Sequence, residues 1–465
     1  MAIIYVILTT IHPSHLAVYN SLINLLAKSN NPKVSRKSVE VLKDLQYRYD
    51  TSKDPNLMPN TVSFNSTLSA FSKASNKHDV EQAESIVKKM EDLYNQGYND
   101  VKPDAFTLTN LISCYAYSNV KGSAERAEEI LQQMQAMYDE DGDNKMRPTK
   151  ASFGAVLNAW AREGNAHRAQ AIVDHMETLQ DSYEEMSANT VLYNTLINSW
   201  AKSGSAESGK KAEEILRKMQ ELHKNGNEDV RPTRITYNSV ISAHQKSGNK
   251  ETFANANKIL QHMEESGDSS ILPDVVTYTT FLNIVSRWRN NLKIDTAEQV
   301  LEKMAKRGIT PNNFTYDAVL RVCFNANPRD HKIKRKALVL AVKTLSIMQE
   351  SSQIIPTSFT YSLFFSAISK LSEGNEQEKL LHRTVQDCCD EGLLTDSILD
   401  QLKRSFEPTL VRNILFPGGD AKEISIQNLP QDWSRHSQQK LPTATSQRPT
   451  VRTQHHTGRR KVSRR

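Results

Sequence analysis

Val191–Trp200 (VLYNTLINSW) and Ile235–His244 (ITYNSVISAH) share one pattern: an apolar residue, a Tyr-Asn pair two positions on, then apolar residues at helical spacing. An aromatic residue or leucine directly before a small, mostly polar start residue recurs nine times, at Tyr19-Asn20, Phe64-Asn65, Leu108-Thr109, Phe153-Gly154, Tyr193-Asn194, Tyr237-Asn238, Tyr278-Thr279, Tyr316-Asp317 and Tyr361-Ser362. Fifteen to eighteen residues downstream in most copies, a second stripe follows, such as Ala83, Ile86, Val87, Met90, and again Ala127, Ile130, Leu131, Met134. The same stripe returns at Ala212, Ile215, Leu216, Met219 and at Ala297, Val300, Leu301, Met304. Steps of three and four are the period of an amphipathic helix. A proline followed by a small polar residue then closes most copies, as at Pro103-Asp104 and Pro273-Asp274, where a helix cannot continue but the next can begin.

Start positions about forty residues apart leave room for two helices of four to five turns. One such pair cannot bury its own stripe, so neighbouring pairs must stack, which predicts an all-α fold, an α-solenoid of antiparallel helical hairpins. Length alone suggests about three globular domains; the repeat overrules it.

Composition agrees, with 38% hydrophobic and 24% charged residues. The longest apolar run, Ile3–Ile11, is too short to cross a bilayer and lacks the flanks of a secretion signal, so it reads as a truncated helix and no membrane partner is expected. Cys114, Cys323, Cys388 and Cys389 show no metal-ligand spacing, which favours a reducing compartment and no metal. The net charge of +6 is misleading, because nine basic residues and no acid follow Ser434; without them the rest carries −3.

Charge placement within each copy is more telling. Four residues after each start stands a polar residue: Asn24, Ser69, Ser113, Asn158, Asn198, Ser242, Asn283, Arg321 and Ser366. Four further on the residue is usually basic, at Lys28, Lys73, Arg162, Lys202, Lys246, Arg287 and Lys370, with Tyr117 and Asn325 as exceptions. These positions share a helix face. Stacking the first helices turns them into a row of short hydrogen-bonding side chains, a second polar row and a row of cations, an arrangement suited to bases on one side and phosphates on the other. For a single copy, capping of helix ends and complementation of the helix dipole explain the same residues.

The whole unit (apolar, Thr, Tyr, Asn, then Thr-Leu-Ile, a Lys-Ser-Gly turn, Ala-Glu-x-Ile-Leu-x-x-Met and a closing Pro-Asp) resembles the pentatricopeptide repeat over roughly His15 to Asp396. The resemblance implies a right-handed superhelix with residues 1–14 as a leader or partial helix, 15–396 as about nine repeats, 397–433 as a C-terminal helix and cap, and 434–465 as a basic disordered tail. The family's unit is near 35 residues. Several units here are longer, as at Asp139–Met146, with the extra residues expected in loops.

The resemblance also implies sequence-selective binding of single-stranded RNA, one base per repeat, read by the start residue and the last residue of the same unit. On this chain the pairs are Asn20/Asn60, Asn65/Asp104, Thr109/Thr149, Gly154/Asn189, Asn194/Thr233, Asn238/Asp274, Thr279/Asn312, Asp317/Thr357 and Ser362/Asp396. By the family's tendencies the Asn-Asp pairs favour uridine, Asn20/Asn60 a pyrimidine, Thr279/Asn312 adenine and Ser362/Asp396 guanine. The Thr109, Gly154 and Asp317 pairs fit poorly, and Gly154 has no side chain to reach a base. The apolar residues three before the start, Val62, Phe106, Val191, Ile235, Val276, Phe314 and Phe359, resemble the family position that wedges between bases; packing between repeats is their alternative role.

No catalytic motif emerges, so no enzyme, cofactor or small-molecule substrate is expected. His175-Met176-Glu177 and His262-Met263-Glu264 match a deaminase His-x-Glu only superficially, with no Cys-x-x-Cys after them. The resemblance points to organellar transcripts, in mitochondrion or plastid, and to RNA-processing proteins as further partners. No transit peptide is visible, and because Asn20 already lies in a repeat, an upstream start or a fragment is expected. The alternative function is a tetratricopeptide-like scaffold for a protein or peptide, whose Trp-x-x-Leu-Gly-x-x-Tyr pattern is absent.

Overall fold

The computed structural model describes residues 15–29, 31–71, 76–179, 186–248, 250–416 and 424–436. The leader with Ile3–Ile11, Lys73 and the tail beyond His436 lie outside the described residues. The described residues form helices and connecting turns, with no strand among them. They fall into two compact units, residues 1–284 and 285–465.

The first unit holds six hairpins: α1 (Leu16–Ala27) with α2 (Lys37–Ser52), α3 (Thr61–Ser69) with α4 (Lys77–Asn95), α5 (Ala105–Tyr117) with α6 (Ser123–Asp141), α7 (Lys150–Glu163) with α8 (Ala166–Thr178), α9 (Thr190–Ser203) with α10 (Ser208–Lys224), and α11 (Arg234–Ser247) with α12 (Thr252–Glu265). Helix α13 (Val275–Arg287) runs across the boundary. The second unit continues with α14 (Lys293–Lys306), α15 (Asn313–Phe324), α16 (His331–Glu350), α17 (Ser358–Leu371), α18 (Gly374–Asp390), α19 (Asp396–Ser405) and α20 (Pro408–Leu415). Within the first unit each first helix packs on its own second helix, and in the first five hairpins both helices also pack on the next first helix. In the second unit α15 and α17 repeat that arrangement, and α19 packs on α17 where a further first helix would stand. Each unit is thus a solenoid-type stack of hairpins.

The stack is built by the residues that define the repeat. All nine aromatic or leucine residues before the start positions are buried, as are the second-helix stripes, except Leu301, which is half-buried. Truncating one of the buried stripe methionines costs roughly 2–5 kcal/mol. Where the aromatic is tyrosine, its hydroxyl needs a partner. Tyr19 donates to Asp44 Oδ2 at 2.8 Å, Tyr193 to Glu177 Oε1 at 2.7 Å and Tyr278 to Glu264 Oε1 at 2.9 Å. This explains both His-x-Glu sequences: the glutamates accept tyrosine hydroxyls, His262 Nε2 lies 3.1 Å from Tyr237 Oη, and the His175 ring meets Phe153 edge-on at 5.6 Å. Among the described residues no group of three His, Cys, Asp or Glu could hold a metal ion, and no helix is long and apolar enough to cross a membrane.

The extra residues of the third unit do not all lie in a loop. Helix α6 continues to Asp141, and Met146 beyond it is buried, so the insertion lengthens the second helix and then anchors the turn. First helices α9 and α11 end at Gly204 and Gly248, with φ of 63° and 61°, a left-handed conformation that glycine adopts without strain.

Candidate nucleic-acid interface

Each unit's last residue opens the first helix of the next hairpin. Asn60, Asp104, Thr149, Asn312 and Thr357 each accept a hydrogen bond at their side-chain oxygen from the backbone N–H three residues on, and in return a Ser or Thr at that third position bonds the cap's own N–H. Thr233 forms the same box with Thr236. Asp274 and Thr277 make the same reciprocal pair at 2.9 and 3.1 Å. Asn189 caps α9 without the return bond, because Leu192 stands at its third position. Capping by these side chains contributes about 1 kcal/mol to each helix. It accounts locally for the last-residue row, but not for the start residues, which lie more than a turn inside their helices.

The start residues are instead wired to the next hairpin. Asn65 Nδ2 donates to Asp104 Oδ1 at 3.1 Å, and Asn65 Oδ1 accepts from Thr107 Oγ1 at 2.7 Å. Asn238 repeats both contacts, to Asp274 Oδ1 at 3.3 Å and from Thr277 Oγ1 at 2.6 Å. Asn20 does so to Asn60 Oδ1 at 3.4 Å and from Ser63 Oγ at 2.7 Å. Thr109 reaches Thr149 indirectly, through Ser152, with Oγ atoms 2.7 and 3.1 Å apart. Asn194 Oδ1 is buried with no hydrogen-bond partner among the described residues. Thr279, half-buried on α13, and Asn312, exposed at the start of α15, fall on either side of the unit boundary.

The second unit holds two departures. Asp317 is buried and accepts from Thr360 Oγ1 at 2.8 Å. Burial pushes its carboxyl up to about 6, against the opposing pull of the Thr360 hydroxyl and the Arg321 charge. At the last unit the expected partner of Ser362 is corrected by one residue. Thr395 caps α19 through Ile398 N at 3.2 Å, while Asp396 is already helical and exposed, so Thr395 holds the place that Asp104 and Asp274 hold elsewhere. Ser362 is occupied in any case: its hydroxyl donates to Gln401 Oε1 at 2.6 Å, and Gln401 Nε2 donates to Ser362 O and Ser366 Oγ, both at 2.8 Å.

Two further rows border these residues. Val62, Phe106, Val191, Ile235, Val276, Phe314 and Phe359 are between 41% and 69% exposed, and the Phe359 ring lies 5.8 Å from the Arg321 guanidinium of the preceding first helix. Lys28, Arg162, Lys202, Lys246 and Arg287 are exposed near the ends of their first helices. Arg162 reaches back to Tyr117, with Nη2 3.4 Å from its carbonyl oxygen and the guanidinium 5.5 Å from its ring, so the exceptional tyrosine joins the row as a platform for a cation. Lys370 departs: half-buried, it donates to Phe324 O at 2.9 Å, and burial lowers its pKa.

The residues missed from sequence are the third-position hydroxyls, Ser63, Thr107, Ser152, Thr236, Thr277, Thr315 and Thr360, all buried. The signal was present as a Ser or Thr two before most start residues, but a cap and a core residue look alike there.

Hairpins stacked on shared apolar stripes, with capping and start residues joined in register, define a helical-hairpin repeat protein. A family model described as the pentacotripeptide-repeat region of PRORP matches residues 144–360, so this stretch of the chain is similar to that repeat family. Among solved structures it is similar to the pentatricopeptide repeat protein PPR10 in complex with an 18-nt psaJ RNA element, at 18% identity and a TM-score of 0.45, covering 84% of this chain and 53% of that one. PPR10 from maize gives 16% identity and a TM-score of 0.35, covering 88% of this chain and 70% of that one. The chain therefore spans about half the length of the PPR10 chain in the RNA complex. No curated protein matches it.

Proposed function

We propose that this protein binds single-stranded RNA with sequence selectivity, acting on organellar transcripts in their stability, processing or translation and without catalysis of its own. The hairpins of residues 15–396 form the binding surface. The observation that carries this reading is the repeated linkage of a start amide in one hairpin to a capping side chain in the next, flanked by an exposed apolar row. A capped Asn65/Asp104 pair is held rigid by Thr107 while retaining a second amide hydrogen and further lone pairs, as fixed readout of a base edge requires. The exposed Val and Phe side chains offer surfaces for stacking, and the cationic row complements phosphates. PPR10, described in complex with an RNA element, is a precedent for this use of such repeats.

Filter binding with randomised single-stranded RNA pools tests the reading. Saturable retention with a recoverable sequence bias is the expected result. Equal retention of every sequence overturns base readout, and retention of peptides but not RNA overturns the RNA assignment.

A further inference from the structure

The fourth hairpin differs from its neighbours at two touching positions. Its start residue is Gly154, and the third position of the next first helix, Ser or Thr in α3, α5, α7, α11, α13, α15 and α17, is Leu192. Leu192 is buried, and a Cβ built on Gly154 would lie 3.1 Å from Leu192 Cδ2, closer than ordinary van der Waals contact. The leucine thus fills the volume into which a start side chain would project, and it replaces the hydroxyl that fixes such a side chain elsewhere, as Thr107 fixes Asn65. Both halves of the start-residue wiring are absent together: no side chain at the start position and no hydroxyl to aim one.

The flanking rows continue through this hairpin. Arg162 is exposed on α7, and Val191 is 69% exposed at the start of α9. A nucleotide passing here keeps a phosphate contact and an apolar neighbour, while glycine and leucine offer its base edge no side-chain donor or acceptor and Asn189 Oδ1 is engaged by the Leu192 N–H at 3.1 Å. We propose that the fourth hairpin is a built-in spacer that holds one nucleotide without reading it, with Leu192 as the residue that keeps it silent. The RNA site is then divided, with one unread position between the bases met by Thr109 and by Asn194.

This inference rests on the proposed RNA-binding function, and the test separates the two. RNA motifs are selected from random pools with the wild-type chain, Gly154→Asn, Leu192→Thr and Gly154→Asn/Leu192→Thr, with Asn194→Ser marking the adjacent register and circular dichroism confirming the fold. The wild-type motif is expected to be flat at the position beside the one Asn194→Ser shifts. The double variant is expected to gain a preference there of roughly fivefold or more, the yield of a good base-edge contact. Gly154→Asn alone, crowded by Leu192, is expected to gain none. A sharp wild-type preference at that position, or no gain in a folded double variant, overturns the spacer while leaving RNA binding intact; no bias at any position overturns base readout itself.

Discussion

Lys202 and Lys370 occupy the same place in their hairpins, eight residues after the start, yet they do different things. Lys202 stands exposed at the end of α9, a helix closed by Gly204 in the left-handed conformation. Lys370 folds over Phe324, 5.0 Å from its ring, and bonds its carbonyl oxygen, because α15 ends without such a glycine. Lys293, buried on α14, takes the next carbonyl, Asn325 O, at 2.9 Å. At the end of α9 the cation is offered outward, whereas at the end of α15 two lysines close the helix. A repeat pattern fixes where a charge sits, and the neighbouring helix end decides what it does.

The sharpest test of that contrast removes the charges. Lys202→Ala/Lys246→Ala is expected to weaken binding to every RNA sequence by about tenfold or more, and to flatten the log-log salt dependence by roughly 0.7 per lost phosphate contact. Lys370→Ala is expected to leave that slope nearly unchanged; an equal fall would break the comparison. Its effect is expected instead in stability, about 1 kcal/mol for an unpaired carbonyl, read by hydrogen exchange along α15.

Replacing Asn65 and Asp104 together is expected to shift base preference at one motif position by several-fold, a change of about 1 kcal/mol or more. An unchanged motif would refute the pairing in that hairpin.

Smaller effects follow from the buried charges of the second unit. Burial first, and the Lys370 charge second, hold the Lys293 amine down at about 8 instead of 10.5. The unfolded chain binds this proton more tightly, so stability rises with pH from about 8 towards 10.5. Lys293→Met is expected to flatten that rise in thermal melts. Asp317 has the opposite sense: its folded pKa, about 6, lies above 3.8, so the folded state gains stability as pH falls through that window. Asp317→Asn is expected to remove this component, and a pH profile identical to wild type would show that the carboxyl is not desolvated.

Much of this was legible in the sequence because burial writes a period. The stripe at Ala83, Ile86, Val87 and Met90 places its helix directly, and the Pro-Asp closures mark the next one. The start and closing residues of hairpins one, two and six were paired through the family resemblance, and they lie within hydrogen-bond distance. What eluded the sequence depends on three-dimensional neighbours. Ser63 and Thr107 look like simple caps until the previous hairpin delivers an amide to them. Thr395 and Asp396 are both good cap residues, and only the chain path selects the first. The occupation of Ser362 by Gln401 and of Phe324 O by Lys370 joins residues 39 and 46 positions apart, with no local pattern to announce them.

Asp104 illustrates a constraint on anyone who would redirect such a protein to a new target. It opens α5 and, on the proposed reading, also inspects a base, so an edit to the second task disturbs the first. Asparagine, aspartate, serine and threonine can trade places there cheaply; larger or apolar letters would sacrifice about 1 kcal/mol of the following hairpin each time. The alphabet available for spelling an RNA address is thereby limited to the few side chains that can start a helix.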